Sequence, residues 1–181
     1  YELQVPKGFD SFYPVLVGRY YGYLVLRSFK LGKTLKQQII ALCKRSKNIS
    51  MVIEEIIPAL IIKNEISFLD HISTKYYEEI LESVKWSSTT TNAIFIIGLA
   101  CVQIDKNDFK AATINLNLID LKKIELSYEI YISLFYFLTS LKISFHKKLK
   151  AQNRLEFSQI KRLVKISKFT KFSKEADKFR L

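Results

Sequence analysis

An all-α fold follows from three observations on this chain of 181 residues: it carries only five glycines and three prolines, its apolar residues recur at three- and four-residue spacing, and helix-capping signals punctuate it at short intervals. Apolar residues make up 49% of the sequence and aromatics 13%, which excludes a disordered chain and provides enough surface for a real core. The expected architecture is about seven to nine helices packed as antiparallel hairpins and stacked side by side. One domain spanning 1–181 accommodates them, with an extended lead-in at 1–10, a helical-hairpin core at 11–152 and a basic amphipathic segment at 153–181.

After the lead-in, which holds Pro6 and Gly8, Ser11 is placed to cap a first helix with Pro14 in its first turn, where a missing N–H is harmless. Val17, Tyr20, Tyr21 and Leu24 form its apolar stripe. Gly18 and Gly22, four residues apart, leave a flat patch at which a neighbouring helix should approach closely. Gly32 reads as the residue that ends this helix, and Thr34-Leu35-Lys36-Gln37 as a capping box that starts the next, with Leu35, Ile39, Leu42 and Cys43 inward. Ser50 is expected to cap Met51 to Ile62, and Pro58 to kink or break that helix near Ile57.

Ser67-Phe68-Leu69-Asp70 is a second capping box, followed by Leu69, Ile72, Tyr76, Ile80 and Val84 at helical spacing as far as Trp86. Glu78, Glu79 and Glu82 lie opposite as a solvated face. The polar run Ser87 to Asn92 is the longest loop signal. Beyond it, Ala93 to Asp120 reads as a helical hairpin: Ile96, Leu99, Ala100 and Gln103 share one face, and Phe109, Ala112, Leu116 and Ile119 the next. Asn107-Asp108 between them supplies a left-handed residue followed by an N-cap. Ser127 then caps a helix to about Phe145 whose aromatics, Tyr128, Tyr131, Phe135, Tyr136 and Phe137, surround it, as in a helix packed on several sides. Asn153 to Glu156 signals the cap of the last, basic helices.

Catalytic motifs are missing from the sequence. Its two histidines, His71 and His146, stand far apart, Asp70 and His71 are adjacent and so do not face each other on a helix, and no metal-ligand, nucleophile-elbow or phosphate-loop pattern occurs. No cofactor is expected. Cys43 and Cys101 fall in apolar helical patterns, the placement of buried thiols in a reducing compartment, so a cytoplasmic location is favoured. Asn48-Ile49-Ser50 matches a glycosylation sequon without other signs of secretion. The longest apolar runs are too short to span a bilayer. A chain that starts at Tyr1 reads as a processed product or a fragment.

The net charge of +12 is uneven. Residues 1–141 hold 16 Lys and Arg against 14 Asp and Glu, whereas residues 142–181 hold 13 against 3. Lys161, Arg162, Lys165, Lys168, Lys171, Lys174 and Lys178 recur along the polar side of this last segment, with Phe169, Phe172 and Phe179 opposite. Such a row fits nucleic-acid phosphates or an anionic membrane surface, and equally a solvated face on a helix that seals the end of a stack.

The hairpin resembles a tetratricopeptide repeat. Leu99-Ala100 stand where that repeat has Leu-Gly, Asn107-Asp108-Phe109 where it has Gly-Asp-Tyr, and Ala112 at the small position of its second helix; Ile96 and Gln103 replace its usual Trp and Tyr. The resemblance covers one repeat, 93–126, with degenerate neighbours. It implies a solenoid whose concave surface binds a partner protein or peptide, in an adaptor, a chaperone or the effector domain of a transcription regulator. It also implies partner contacts from the first helix of the hairpin, at Asn92, Phe95 and Gln103.

Overall fold

The structure, a computed structural model, describes residues 14–45, 49–75, 89–124 and 126–181. Nine α-helices and one 3-10 turn make up all the regular structure among these residues. They are α1 (Pro14–Arg27), α2 (Lys33–Arg45), α3 (Ile49–Ile62), α4 (Ile66–Lys75), α5 (Thr89–Asp105), α6 (Phe109–Leu116), α7 (Leu126–His146), α8 (Lys150–Ser167) and α9 (Thr170–Asp177), with the 3-10 turn at Leu121–Lys123. The chain is thus all-α, as its spacing predicts. It divides into two compact units, Tyr1–Gly98 and Leu99–Leu181, and the division falls within α5. The expected lead-in, the Ser11 cap, Asn48 of the sequon, the face of Glu78, Glu79 and Glu82, and the helix end at Trp86 lie outside the described residues.

One turn geometry is used three times. Asn64, Asn107 and Lys148 each adopt a left-handed conformation, with φ of 57°, 61° and 56°. In each case the next residue donates its N–H back across six residues: Glu65 to Leu60 O, Asp108 to Gln103 O and Leu149 to Ser144 O, at 2.9, 2.8 and 2.8 Å. This is the Schellman closure, which satisfies the last carbonyls of a helix. That same next residue then serves as N-cap of the following helix, since its carbonyl accepts the first helical bond, from Leu69, Ala112 and Asn153. Only at Asp108 does a side chain complete the cap, accepting from Ala111 N at 3.0 Å. The expected Asn107-Asp108 turn is therefore observed, joining α5 to α6.

In the first unit α1 packs chiefly on α3. A Cβ on Gly18 would stand 2.8 Å from Val52 O, and one on Gly22 would stand 2.7 Å from Glu55 O. The close approach expected of the two glycines is present, and it lets Val17, Tyr21 and Val25 bury their side chains along the same helix. Ile39, Leu42 and Cys43 of α2, Ile56, Ile57 and Leu60 of α3, and Leu69 and Ile72 of α4 complete the core. The first half of α5 belongs here too, because Gly98 lies against Ile57 and Leu69. The ion pair Arg19–Glu55, at 3.0 Å, spans α1 and α3. Since Arg19 is exposed, the pair contributes only about 0–1 kcal/mol.

In the second unit α7 is central and meets α6, α8 and α9. Ile132, Leu134, Phe135, Leu138, Leu141 and Ile143 are buried along it, and of its other aromatics Tyr131, Tyr136 and Phe137 are half-buried. Phe172 of α9 packs edge to face on Phe135, with ring centroids 4.9 Å apart, and Phe179 packs similarly on Phe145 at 5.6 Å.

Several expected boundaries shift, each for a physical reason. Gly32 does not end α1, which stops at Arg27; its carbonyl accepts from Lys36 N, so it caps α2, and Thr34 lies in the first turn. Pro58 does not break α3, which runs through it, and its missing N–H is absorbed in a helix buried over Ile56 to Ile61. The box at Ser67 gives way to a start at Ile66 capped by Glu65. The polar run at 87–92 is helical from Thr89 onward, and Thr90 is 2% exposed. Burial of the apolar residues that follow extends the helix backward through threonines that tolerate it. α5 is buried on most sides, at Thr90, Ala93, Ile94, Phe95, Ile97, Ala100, Cys101 and Val102; of the expected face Ala100 is fully buried, while Ile96, Leu99 and Gln103 are half-buried.

Candidate functional site

The three hairpin residues expected to contact a partner all lie on α5 and differ in their surroundings. Phe95 is 5% exposed and belongs to the core of the first unit. Asn92 is half-buried. Gln103 accepts from Asn115 Nδ2 at 2.9 Å, a bond that ties α5 to α6 within the second unit. The apolar surface that the hairpin leaves in solvent is on α6 and just beyond it, at Ile114 and Leu118, four residues apart and 55% and 66% exposed. Sequence periodicity assigned neither residue to the inward stripe, and that omission was the available signal.

The basic row of the last segment separates into two sets. Lys161 Nζ donates to Ser173 Oγ at 2.6 Å and Asp177 Oδ1 at 2.9 Å, and stands over the Phe157 ring, so it fastens α8 to α9. Lys178 Nζ donates to Glu175 Oε2 at 2.5 Å. Arg162, Lys165, Lys168, Lys171 and Lys174 are exposed, with Lys168 in a left-handed conformation between the two helices. Of the three carboxylates in residues 142–181, Glu175 and Asp177 are held by Lys178 and Lys161. The third, Glu156, is buried and turned inward, so none is left to neutralise Arg162, Lys165 or Lys174. Leu155, Ile166 and Phe169 are exposed among these cations.

Glu156 is the residue that sequence reasoning misplaced. Asn153 to Glu156 reads as a cap signal, yet α8 starts at Lys150, and both residues sit within it with side chains 0% and 4% exposed. Glu156 accepts from Ser140 Oγ, from Ser144 Oγ at 2.6 Å and from Gln152 Nε2 at 2.8 Å. Asn153 donates to Phe179 O at 2.9 Å and accepts from Leu181 N at 2.9 Å, which pins the end of the chain. Ser140 and Ser144 are one turn apart on α7, and Gln152 one turn before Glu156 on α8, so the spacing of the cluster is visible in the sequence only once the two helices are known to pair.

Burial shifts both thiols and one phenol. Burial pushes the Cys43 thiol up to about 12, against a small lowering by its own backbone. Cys101 is raised as well, by burial first, with Lys142 and the Thr139 hydroxyl acting in the opposite direction; its Sγ lies 3.6 Å from Thr139 Oγ1. Both thiols therefore stay protonated and weakly nucleophilic. Burial, with the nearby Glu156 charge second, also raises the Tyr136 phenol. His71 stacks on Phe68 and His146 on Phe109, with centroids 6.5 and 4.9 Å apart. Among the described residues no group of three or more His, Cys, Asp or Glu is placed to hold a metal, and no helix is long and apolar enough to cross a membrane. No protein-family model, curated protein or solved structure matches the chain.

Proposed function

We propose that this chain works by recognition rather than catalysis, as a helical-hairpin module that binds a partner protein or peptide. The observation that carries the reading is the pair Ile114 and Leu118, exposed in the hairpin while Ala112 and Leu116 face its core. Two large aliphatic side chains four residues apart, one on a short helix and one in the turn just after it, form an anchor for a complementary groove or helix. Recurrence of one Schellman turn at Asn64, Asn107 and Lys148 supports a repeated hairpin. Its spacing of about 40 residues is longer than the roughly 34 of a tetratricopeptide unit, so the stacked solenoid rests on the motif at 93–126 rather than on the period. The one buried carboxylate among the described residues, Glu156, spends its lone pairs on hydroxyl and amide donors, the use of a structural group.

The test replaces both anchors with aspartate. A pull-down from native lysate with the intact chain is expected to retain a defined partner that the Ile114→Asp, Leu118→Asp variant loses by on the order of tenfold or more, with an unchanged melting temperature. Identical retention by both proteins, or retention of nothing by either, ends the proposal.

A second reading, an anionic partner such as nucleic acid at the last segment, draws on the internal engagement of its three carboxylates. A contact with about five phosphates should weaken by roughly two orders of magnitude between 50 and 200 mM salt. Salt-insensitive binding, or binding untouched by Arg162→Glu with Lys165→Glu, contradicts it.

A further inference from the structure

The charge imbalance between the two ends of the chain conceals a second basic region. Residues 14–45 contain seven Lys and Arg and no Asp or Glu. Two of the seven are matched by carboxylates from later helices, Arg19 by Glu55 and Lys36 by Glu65, each at 3.0 Å. Lys30 and Lys33 are exposed in and just after the α1–α2 loop and have no carboxylate partner among the described residues. Arg27 is spent only in part. Its Nη1 donates to Tyr23 OH at 3.0 Å with the guanidinium over that ring, which leaves most of its five N–H donors facing solvent.

Between these cations stands Phe29, fully exposed at 104%. Its position is imposed by its neighbours. Ser28 N donates to Leu24 O at 3.0 Å, Ser28 Oγ to Val25 O at 2.7 Å, and Lys63 Nζ donates to Ser28 O at 2.6 Å. Two residues further on, Leu31 is 5% exposed, seated in the core. A pinned carbonyl on one side and a buried leucine on the other hold the intervening phenylalanine outward. Leu16, Tyr23 and Leu26 continue the exposed apolar surface along α1, whose other side carries Val17, Gly18, Tyr21, Gly22 and Val25 into the core.

We propose that the exposed side of α1 and the loop after it dock on an anionic lipid surface, with Phe29 entering the headgroup region and Arg27, Lys30 and Lys33 against the lipid phosphates and carboxylates. A fully exposed aromatic with Arg27, Lys30 and Lys33 close to it in the chain, next to a helix that exposes a tyrosine and aliphatic side chains, has the composition of an interfacial anchor. Charge selects this occupant over a second copy of the chain, since self-association through this surface would oppose cation to cation. The contact is separate from the hairpin anchors at Ile114 and Leu118 and from the basic segment at the end of the chain, and it stands or falls independently of both.

The experiment is co-sedimentation of the intact chain with vesicles of phosphatidylcholine alone and of phosphatidylcholine with about a third phosphatidylserine. The chain is expected to sediment with the anionic vesicles and to remain in solution with the neutral ones. Phe29→Ser should weaken partitioning on the order of tenfold, and Lys30→Glu with Lys33→Glu should abolish it at physiological salt. All three side chains are exposed, so both variants should melt with the intact protein, and Ile114→Asp with Leu118→Asp should sediment unchanged. The proposal is overturned if Phe29→Ser partitions like the intact chain or if neutral vesicles bind equally well. It is also overturned if binding is lost only on replacing Arg162, Lys165 and Lys168, or if no vesicle is bound, the result an acidic protein partner would give.

Discussion

Replacing Glu156 with alanine is expected to destabilise the Leu99–Leu181 unit by about 2–4 kcal/mol, a large effect for one polar side chain. The carboxylate is 4% exposed and accepts from Ser140, Ser144 and Gln152. Ser140 and Ser144 are themselves buried, so removing the acceptor strands two hydroxyls away from water and leaves a void beside them. Ser144 retains partial relief, because its Oγ lies 3.0 Å from Leu141 O and the hydroxyl can turn to it. Gln152 is exposed and can turn to solvent.

The same accounting predicts a recovery. Glu156→Leu combined with Ser140→Ala and Ser144→Ala removes donors and acceptor together, and apolar replacement of a complete buried polar cluster is often close to neutral. Asn153, which donates to Ser144 Oγ at 3.3 Å, keeps its bonds to Phe179 O and Leu181 N. Hydrogen exchange of the α7 and α8 amides reads this unit without interference from the other. A single alanine that costs under about 0.5 kcal/mol, or a triple variant as unstable as the single one, would show that the cluster is not what holds α7 to α8.

What could be read in the sequence was what depends on neighbours in the chain. The Asn107-Asp108 turn needs a residue tolerant of positive φ followed by a capping carboxylate, and both are adjacent, so the α5–α6 connection was legible. Gly18 and Gly22 were legible because helical glycine at four-residue spacing has few uses apart from close packing. Two equivalent turns are less legible. Lys148 carries no sign of its left-handed φ, and Leu149 caps α8 through backbone alone, so the start was assigned to Asn153, whose side chain is instead buried against the end of the chain. Long-range packing outweighs local preference there. The candidate surfaces were hidden by averaging: residues 14–45 lose their uniform basicity when counted with the acidic stretches that follow, and the basic row of the last segment looks uniform until Lys161 and Lys178 are seen to be engaged.

Adding a methyl group at Gly22 should cost about 1–3 kcal/mol, although glycine to alanine in a solvent-facing helix is worth up to about 1 kcal/mol in the opposite direction. The sign is decided by what the new atom meets. At Gly22 it is the Glu55 carbonyl oxygen, 2.7 Å away, and at Gly18 the Val52 carbonyl oxygen at 2.8 Å with Glu55 Cβ at 3.0 Å. Backbone atoms of α3 cannot turn aside as a side-chain tip would, so α1 must lift from α3 along its length and loosen Val17, Tyr21 and Val25. Because both glycines face the same helix, the displacement caused by the first alanine makes room for part of the second. The Gly18→Ala, Gly22→Ala double variant should therefore cost less than the sum of the two singles, by about 0.5 kcal/mol or more. Gly22→Val adds a branched side chain in the same place and should leave the Tyr1–Gly98 unit largely unfolded, a loss above about 4 kcal/mol. Urea denaturation and amide exchange of α1 and α3 measure each variant. Stabilisation by either alanine would mean that the two helices do not meet at the distance on which the core of this unit depends.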